Sequence, residues 1–180
     1  ITVNPFVSMR VITYTYDPLY RLTGATYSSG ESYAYRYDPV GNRTAMTITT
    51  PLSGTIVTRY DYDDADRIES VTVGGVPVPY TWSDRGELLT DGVQSYRWDA
   101  AGRLVGVSGP GGLEVVYSYD GAGDRVAMVV NGLTTTYVVD PFGLVDGVSQ
   151  VLLEETGGDS TRYLYGLDLF AQQAGGTSYL

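Results

Sequence analysis

Cysteine, histidine and lysine are missing from this chain of 180 residues. Without cysteine there is no disulfide and no thiolate; without histidine there is no imidazole ligand, no Ser-His-Asp triad and no Cys-His dyad. Most hydrolase chemistry is excluded at once, and the redox compartment leaves no trace. Phenylalanine is scarce, with 3 residues against 17 tyrosines and 2 tryptophans. A dry sandwich core would want more Leu, Ile and Phe, whereas tyrosine suits a partly wet wall, because its ring packs while its hydroxyl needs a partner. No apolar run reaches the roughly 18 residues of a membrane-spanning helix.

Positive charge is also thin. All 11 cations are Arg, against 21 acids, for a net charge of -10 and a pI near 4.2. The arginines are spread singly from Arg10 to Arg162. Such a surface repels phosphate backbones and anionic bilayers, so neither nucleic acid nor membrane insertion is expected. The opening Ile1-Thr-Val-Asn-Pro lacks a signal-peptide layout and does not start with Met, and so reads as a processed product or excised piece.

What is abundant is repetition. An aromatic, any residue, an aromatic and an acid recur as Tyr14-Thr-Tyr16-Asp17, Tyr35-Arg-Tyr37-Asp38, Tyr60-Asp-Tyr62-Asp63, Tyr96-Arg-Trp98-Asp99 and Tyr117-Ser-Tyr119-Asp120. Tyr80-Thr-Trp82-Ser83 and Tyr137-Val-Val139-Asp140 are degenerate copies. The period is about twenty residues, in the range of stacked supersecondary units. An Arg follows four after the acid (Arg21, Arg67, Arg103) or five after it (Arg43, Arg125). Three past the acid stand Gly41, Gly86, Gly102, Gly123 and Gly143, which predicts a left-handed turn position. Asp66 fits there; Tyr20 does not, which sets the first copy apart. In the Ser83 copy Glu87 stands where Arg is expected, so acid and Arg are read as lost together.

Between these turns lie Asp91-Gly92, Asn131-Gly132 and other Gly-rich pairs, strong hairpin signals. Two turns per period leave strand-length segments, and about sixteen strands in consecutive antiparallel hairpins are predicted, all-β and without helices. Residues i and i+2 of a strand share a face, so each Tyr-x-Tyr pair is expected to put both rings on one side. A sheet of so many strands must curl, with the rings gathered along its concave surface. The predicted organisation is a lead-in strand over 1–10, the repeat sheet over 11–173 and a tail over 174–180.

The Tyr-x-Tyr-Asp-x-x-Gly-Arg-Leu and Tyr-x-Tyr-Asp-x-x-Gly-Asn-Arg patterns resemble the YD repeat of bacterial Rhs proteins, the shell component of insecticidal Tc toxins, and the teneurins. The resemblance runs from about Val11 to the end, where Tyr163-Leu-Tyr-Gly-Leu-Asp-Leu-Phe-Ala-Gln172 resembles the approach to an Rhs core domain. It implies a stretch of a spiralling β-shell, with the rest of the shell and an enclosed C-terminal effector as partners, on a secreted or cell-surface protein. The family's self-cleaving aspartyl element lies downstream of the repeats, and Asp140-Pro-Phe-Gly-Leu144 is read as an ordinary turn.

No catalytic residue, cofactor or metal is predicted. The acids recur at turns, as repetition alone would place them. Asp61-Tyr-Asp-Asp-Ala-Asp66 opens like a calcium loop but has Asp66 where the sharp-turn Gly belongs and Thr72 where the bidentate Glu belongs. Two functions remain: a non-catalytic wall that shields an effector, or an extracellular adhesion module that binds glycan or protein through its aromatic β surface, with Trp82 and Trp98 as the rings that would stack on a ligand. The isolated piece is expected to self-associate through open edges and its aromatic face.

Overall fold

The computed structural model describes residues 10–143, 148–165, 169–175 and 177–179. Almost every described segment outside the turns is a strand, and the one exception is a single 3-10 turn, Pro110–Gly112. The expected lead-in strand falls on residues outside those described, Arg10 apart.

The first sheet has seven strands in sequence order: β1 (Ile12–Tyr16), β2 (Leu22–Tyr27), β3 (Ser32–Tyr37), β4 (Arg43–Thr50), β5 (Gly54–Tyr62), β6 (Ile68–Val73) and β7 (Val76–Pro79). The second has eleven, again in sequence order. It begins with β8 (Thr81–Trp82), β9 (Leu88–Thr90), β10 (Ser95–Trp98), β11 (Leu104–Gly109), β12 (Leu113–Tyr119) and β13 (Arg125–Val130). It ends with β14 (Leu133–Asp140), β15 (Gln150–Thr156), β16 (Asp159–Tyr165), β17 (Leu169–Ala174) and β18 (Thr177–Tyr179). Among the described residues eighteen strands therefore stand against the roughly sixteen expected, because the ladder runs on through Tyr179 and the stretch around Tyr80 breaks into short pieces. The chain divides into two compact units, 1–81 and 82–180.

Within each unit the sheet is antiparallel throughout. In β3, Tyr33, Tyr35 and Tyr37 are half-buried while Ala34 and Arg36 are exposed. In β5 and β12 the same alternation holds, with Tyr60, Tyr62, Tyr117 and Tyr119 half-buried and Asp61 and Ser118 exposed. Both rings of these motifs therefore lie on one face, as the two-residue period of a strand requires. Small side chains on the same face lie under the rings: Ala25, Thr58, Val107, Val115 and Thr135, each 9% exposed or less. The opposite face carries Thr15, Gly24, Ala34, Thr47 and Arg59.

No described side chain of any size is fully buried. Each sheet is a single layer, stabilised by its ladder and by the row of rings rather than by an enclosed core.

Positive φ occurs at the third position past the acid in Gly41, Gly86, Gly102 and Gly123, as expected, and also at Tyr20 (φ 60) and Asp66 (φ 59). Tyr20 thus follows the common geometry despite its side chain, because hydrogen bonds on both sides of it close the same turn. A non-glycine residue held there costs roughly 1–2 kcal/mol, and at 89% exposure the Tyr20 ring recovers little by packing. Tyr20→Gly is expected to stabilise the first unit by about 0.5 kcal/mol, after glycine's greater freedom in the unfolded chain is subtracted. A urea titration of the two chains measures this. Gly143 departs from the pattern: its φ is not positive, and a Cβ there would meet the Val148 carbonyl at 2.7 Å. Glycine is needed at 143 for close approach, not for turn geometry.

Candidate functional site

The unit of construction is the turn. In the copies at Asp17, Asp38, Asp63, Ser83, Asp99 and Asp120 the backbone N–H of that residue donates to the carbonyl four residues on, and the N–H three residues on donates back, as with Asp17 to Arg21 and Tyr20 to Asp17. The side chain then caps the loop. Asp17 Oδ1 accepts from the amides of Leu19 and Arg21, both at 2.9 Å; Asp63 does so from Ala65 and Arg67, Asp99 from Ala101 and Arg103. Asp38 accepts from Gly41 and Asn42, and Asp120 from three amides, those of Ala122, Gly123 and Asp124. Asp140 receives the Phe142 amide and so closes an ordinary Asx-type turn, while Leu144 lies outside the described residues.

The two Arg spacings do different things. An Arg four after the acid turns back on the carboxylate: Arg21 Nε lies 2.6 Å from Asp17 Oδ2, and the Asp63–Arg67 and Asp99–Arg103 pairs are 2.7 Å apart. The Arg21 and Arg103 guanidiniums also reach the next copy. Arg21 donates to the Asp38 carbonyl and stacks 4.9 Å from the Tyr37 ring; Arg103 donates to the Asp120 carbonyl and stacks 4.9 Å from Tyr119. An Arg five after the acid sits on the ring face instead. Arg43 lies 4.8 Å from Tyr60 and 5.9 Å from Tyr35, and Arg125 lies 5.4 Å from Tyr117 and 5.3 Å from Tyr137. In the other spacing this position holds Leu22, Ile68 or Leu104, so cation and aliphatic chain fill the same slot.

The Ser83 copy corrects the sequence reading. The acid and Arg are not lost but exchanged. Ser83 Oγ accepts the amides of Arg85 and Glu87 and donates to the Glu87 carboxylate. Arg85 pairs with Glu87 at 3.0 Å and donates to the Asp99 and Ala100 carbonyls of the next turn. The signal was present in Arg85, two after Ser83, but only side-chain reach reveals it.

Sequence reasoning missed a further device. A register shift falls immediately before the second aromatic in β1, β3, β5, β10 and β12. This bulge places one carbonyl after each turn beyond the end of the next ladder. The ladder of β11 with β12, for example, begins at Gly106, leaving Leu104 outside it. The second aromatic of the following copy donates to that carbonyl: Tyr37 Oη to Leu22 at 2.8 Å, Tyr62 to Arg43 at 3.0 Å, Trp98 Nε1 to Leu88 at 2.7 Å and Tyr119 to Leu104 at 2.8 Å. In each case the acceptor stands five past the acid or its Ser equivalent. The second position therefore needs a ring with a distant donor. The first rings are less uniform: Tyr60 accepts from Arg43 and Tyr96 donates to Asp91.

These bonds set the electrostatics. Asp17 and Asp99 are held below the ordinary carboxylate range chiefly by the Arg21 and Arg103 amides, Asp63 chiefly by the Arg67 guanidinium, and Asp91 chiefly by the Gln94 amide. Burial pulls Asp38 upward most strongly, but hydrogen bonds from the Asn42, Gly41 and Val40 amides and the Asn42 side chain together leave it lowered. Burial raises the Tyr62 and Tyr163 phenols, the latter helped by its bond to Glu154.

The acidic run at Asp61 disperses: Ser70 donates to Asp61, Asp63 caps its turn, and Asn42 donates to Asp66. Among the described residues no group of three or more acids is arranged to hold a metal, and no helix is long and apolar enough to cross a membrane. Trp98 is half-buried with its indole N–H committed to Leu88, and Trp82 is half-buried in β8.

The chain is similar to known proteins. tRNA nuclease WapA of Bacillus subtilis strain 168 is 30% identical over 157 residues, 84% of this chain and 6% of the relative. The tRNA3(Ser)-specific nuclease WapA of Bacillus spizizenii matches with the same figures. The chain thus spans a small part of the curated relatives it matches. Among solved structures, TcdB2-TccC3 is 15% identical with TM-score 0.46 over 91% of this chain and 12% of that one. The Photorhabdus luminescens Tc holotoxin pore is 15% identical with TM-score 0.43 over 91% and 11%. The profile of the Teneurin YD-shell family covers residues 3–142. With that match over most of its length and the tyrosine–aspartate turn recurring through its hairpins, the chain belongs to the Teneurin YD-shell family.

Proposed function

We propose that this chain is a wall segment of a YD shell whose parent protein, secreted or on the cell surface, encloses and shields a C-terminal effector, and that the segment itself carries out no catalysis. The observation that carries the reading is the use of the polar groups. The turn acids Asp17, Asp38, Asp63, Asp99 and Asp120 and the ring donors of Tyr37, Tyr62, Trp98 and Tyr119 are committed to turn amides or to a neighbouring copy. Groups so engaged hold a thin sheet together and are not free to converge on a substrate. The nuclease activity named for the WapA relatives belongs to proteins of which this stretch matches 6%, and we assign it to the enclosed part of such a parent rather than to the wall.

The partners are the remaining shell, the effector and, for the isolated piece, further copies, since single-layer sheets leave apolar surface uncovered. The adhesion alternative is disfavoured because the Trp98 indole serves the wall.

The test is protease protection of the intact parent. Its C-terminal region should resist limited digestion and become sensitive when Tyr37, Tyr62 and Tyr119 are changed together to Leu. A C-terminal region cut equally fast in both proteins would refute the shell reading, and glycan binding abolished by Trp82→Ala and Trp98→Ala would establish the other.

A further inference from the structure

One copy keeps the backbone of the ring latch but lacks the ring. In β14 the second aromatic position is Val139, and the register shift still falls between Val138 and Val139. The residue five past the preceding acid, Asp120, is Arg125, and the ladder of β13 with β14 begins only at Ala127. The Arg125 carbonyl therefore stands where Leu22, Arg43, Leu88 and Leu104 stand in the other copies, each of which receives a ring donor. Valine has no donor and too little bulk to replace an indole or a phenol.

A cavity of about 340 Å3 opens at this place, lined by Tyr119, Asp124, Arg125, Tyr137, Val139 and Ser149 among others. That is the lower end of ligand-pocket size, roughly 300–1,000 Å3. Its walls match the slot of a missing ring. Tyr119 and Tyr137 flank it, and Val139 and its cross-strand partner Val151 supply apolar surface. Ser149 donates to Asp124 at the rim. The Arg125 guanidinium touches only rings among the described residues, Tyr117 and Tyr137, and is exposed at the mouth.

We propose that this ring vacancy binds a small hydroxyaromatic ligand. The ring occupies the space that Tyr or Trp fills in other copies, its hydroxyl donates to the Arg125 carbonyl, and an anionic substituent reaches the Arg125 guanidinium. The site is independent of the shell reading, because it rests on one vacancy in an otherwise repeated arrangement.

Phenol, 4-hydroxyphenylacetate and benzene, titrated separately into the 180-residue chain and followed by amide NMR, test it. Phenol should shift a compact set of amides around Tyr119, Arg125, Val139 and Val151, 4-hydroxyphenylacetate should bind more tightly, and benzene at least tenfold more weakly than phenol. Val139→Tyr should place the absent ring in the vacancy, raise the melting midpoint by a few degrees and remove phenol binding. Val139→Phe fills the space without a donor and should also block phenol. Shifts scattered over the whole ring face, equal affinity for benzene and phenol, or phenol binding that survives both variants would overturn the proposal.

Discussion

Tyr119→Phe is expected to destabilise the second unit by about 1–2 kcal/mol, the usual penalty for a carbonyl deprived of its donor away from water. Tyr117→Phe, two residues earlier on the same strand and face, should stay within about 0.5 kcal/mol. The two substitutions remove the same atom from neighbouring rings of similar burial. They differ in what the hydroxyl does: Tyr119 Oη donates to the Leu104 carbonyl at 2.8 Å, whereas the Tyr117 ring contributes through its face against Arg125. Tyr37→Phe against Tyr35→Phe repeats the comparison in the first unit, where Tyr37 donates to Leu22 and Tyr35 packs beside Arg43. Trp98→Phe should behave like Tyr119→Phe, because the indole N–H serves the same kind of carbonyl. Chemical denaturation of the five chains decides the matter. Equal losses at first and second positions would mean that the rings act through area alone and the latch is incidental.

That asymmetry marks the boundary of what the chain reveals before it is folded. The acid, the turn glycine and the two rings on one face follow from local rules: an Asx cap spans a few residues, and strand side chains alternate. The latch is not local. It depends on a bulge that shortens a ladder in one copy and on a hydroxyl arriving from the next, 15 residues away for Tyr37 and Leu22 and 19 for Tyr62 and Arg43. Arg43 and Arg21 look alike in sequence, one residue apart in spacing, yet that residue decides whether the guanidinium turns back on its carboxylate or lies between rings. Tyr20 was the reverse case, where local preference argued against a turn that the surrounding ladder imposes. The exchange of charges between Ser83, Arg85 and Glu87 was hidden for the same reason, since a motif records residue types and not the reach of a side chain.

Stability should be flat from about pH 5.5 to pH 9 and should fall at both ends. The plateau follows from composition: with no histidine, cysteine or lysine, no side chain has its ordinary pKa between those of the carboxylates and the tyrosines. The acid limb follows from the turns. Asp17, Asp38, Asp63, Asp91 and Asp99 all have folded values below the ordinary 3.8. In that window the unfolded chain binds more protons than the folded one, so the contribution is complete above the ordinary value and is lost as pH falls through the lowered ones. The alkaline limb has the opposite sign. Tyr62 and Tyr163 are raised above 10.0, so their contribution is complete below that value and is lost as pH climbs through the raised ones. Melting followed by circular dichroism at half-unit steps from pH 2 to pH 11 measures all three regions. Asp63→Asn and Asp99→Asn together should lower the plateau and flatten the acid limb while leaving the alkaline one in place, because neither Asp63 nor Asp99 is among the groups that shift Tyr62 or Tyr163. A midpoint that falls between pH 5 and pH 7 in the unmodified chain would show that these carboxylates are not held down by their turns, and the account of the repeat as a series of charge-capped loops would fail with it.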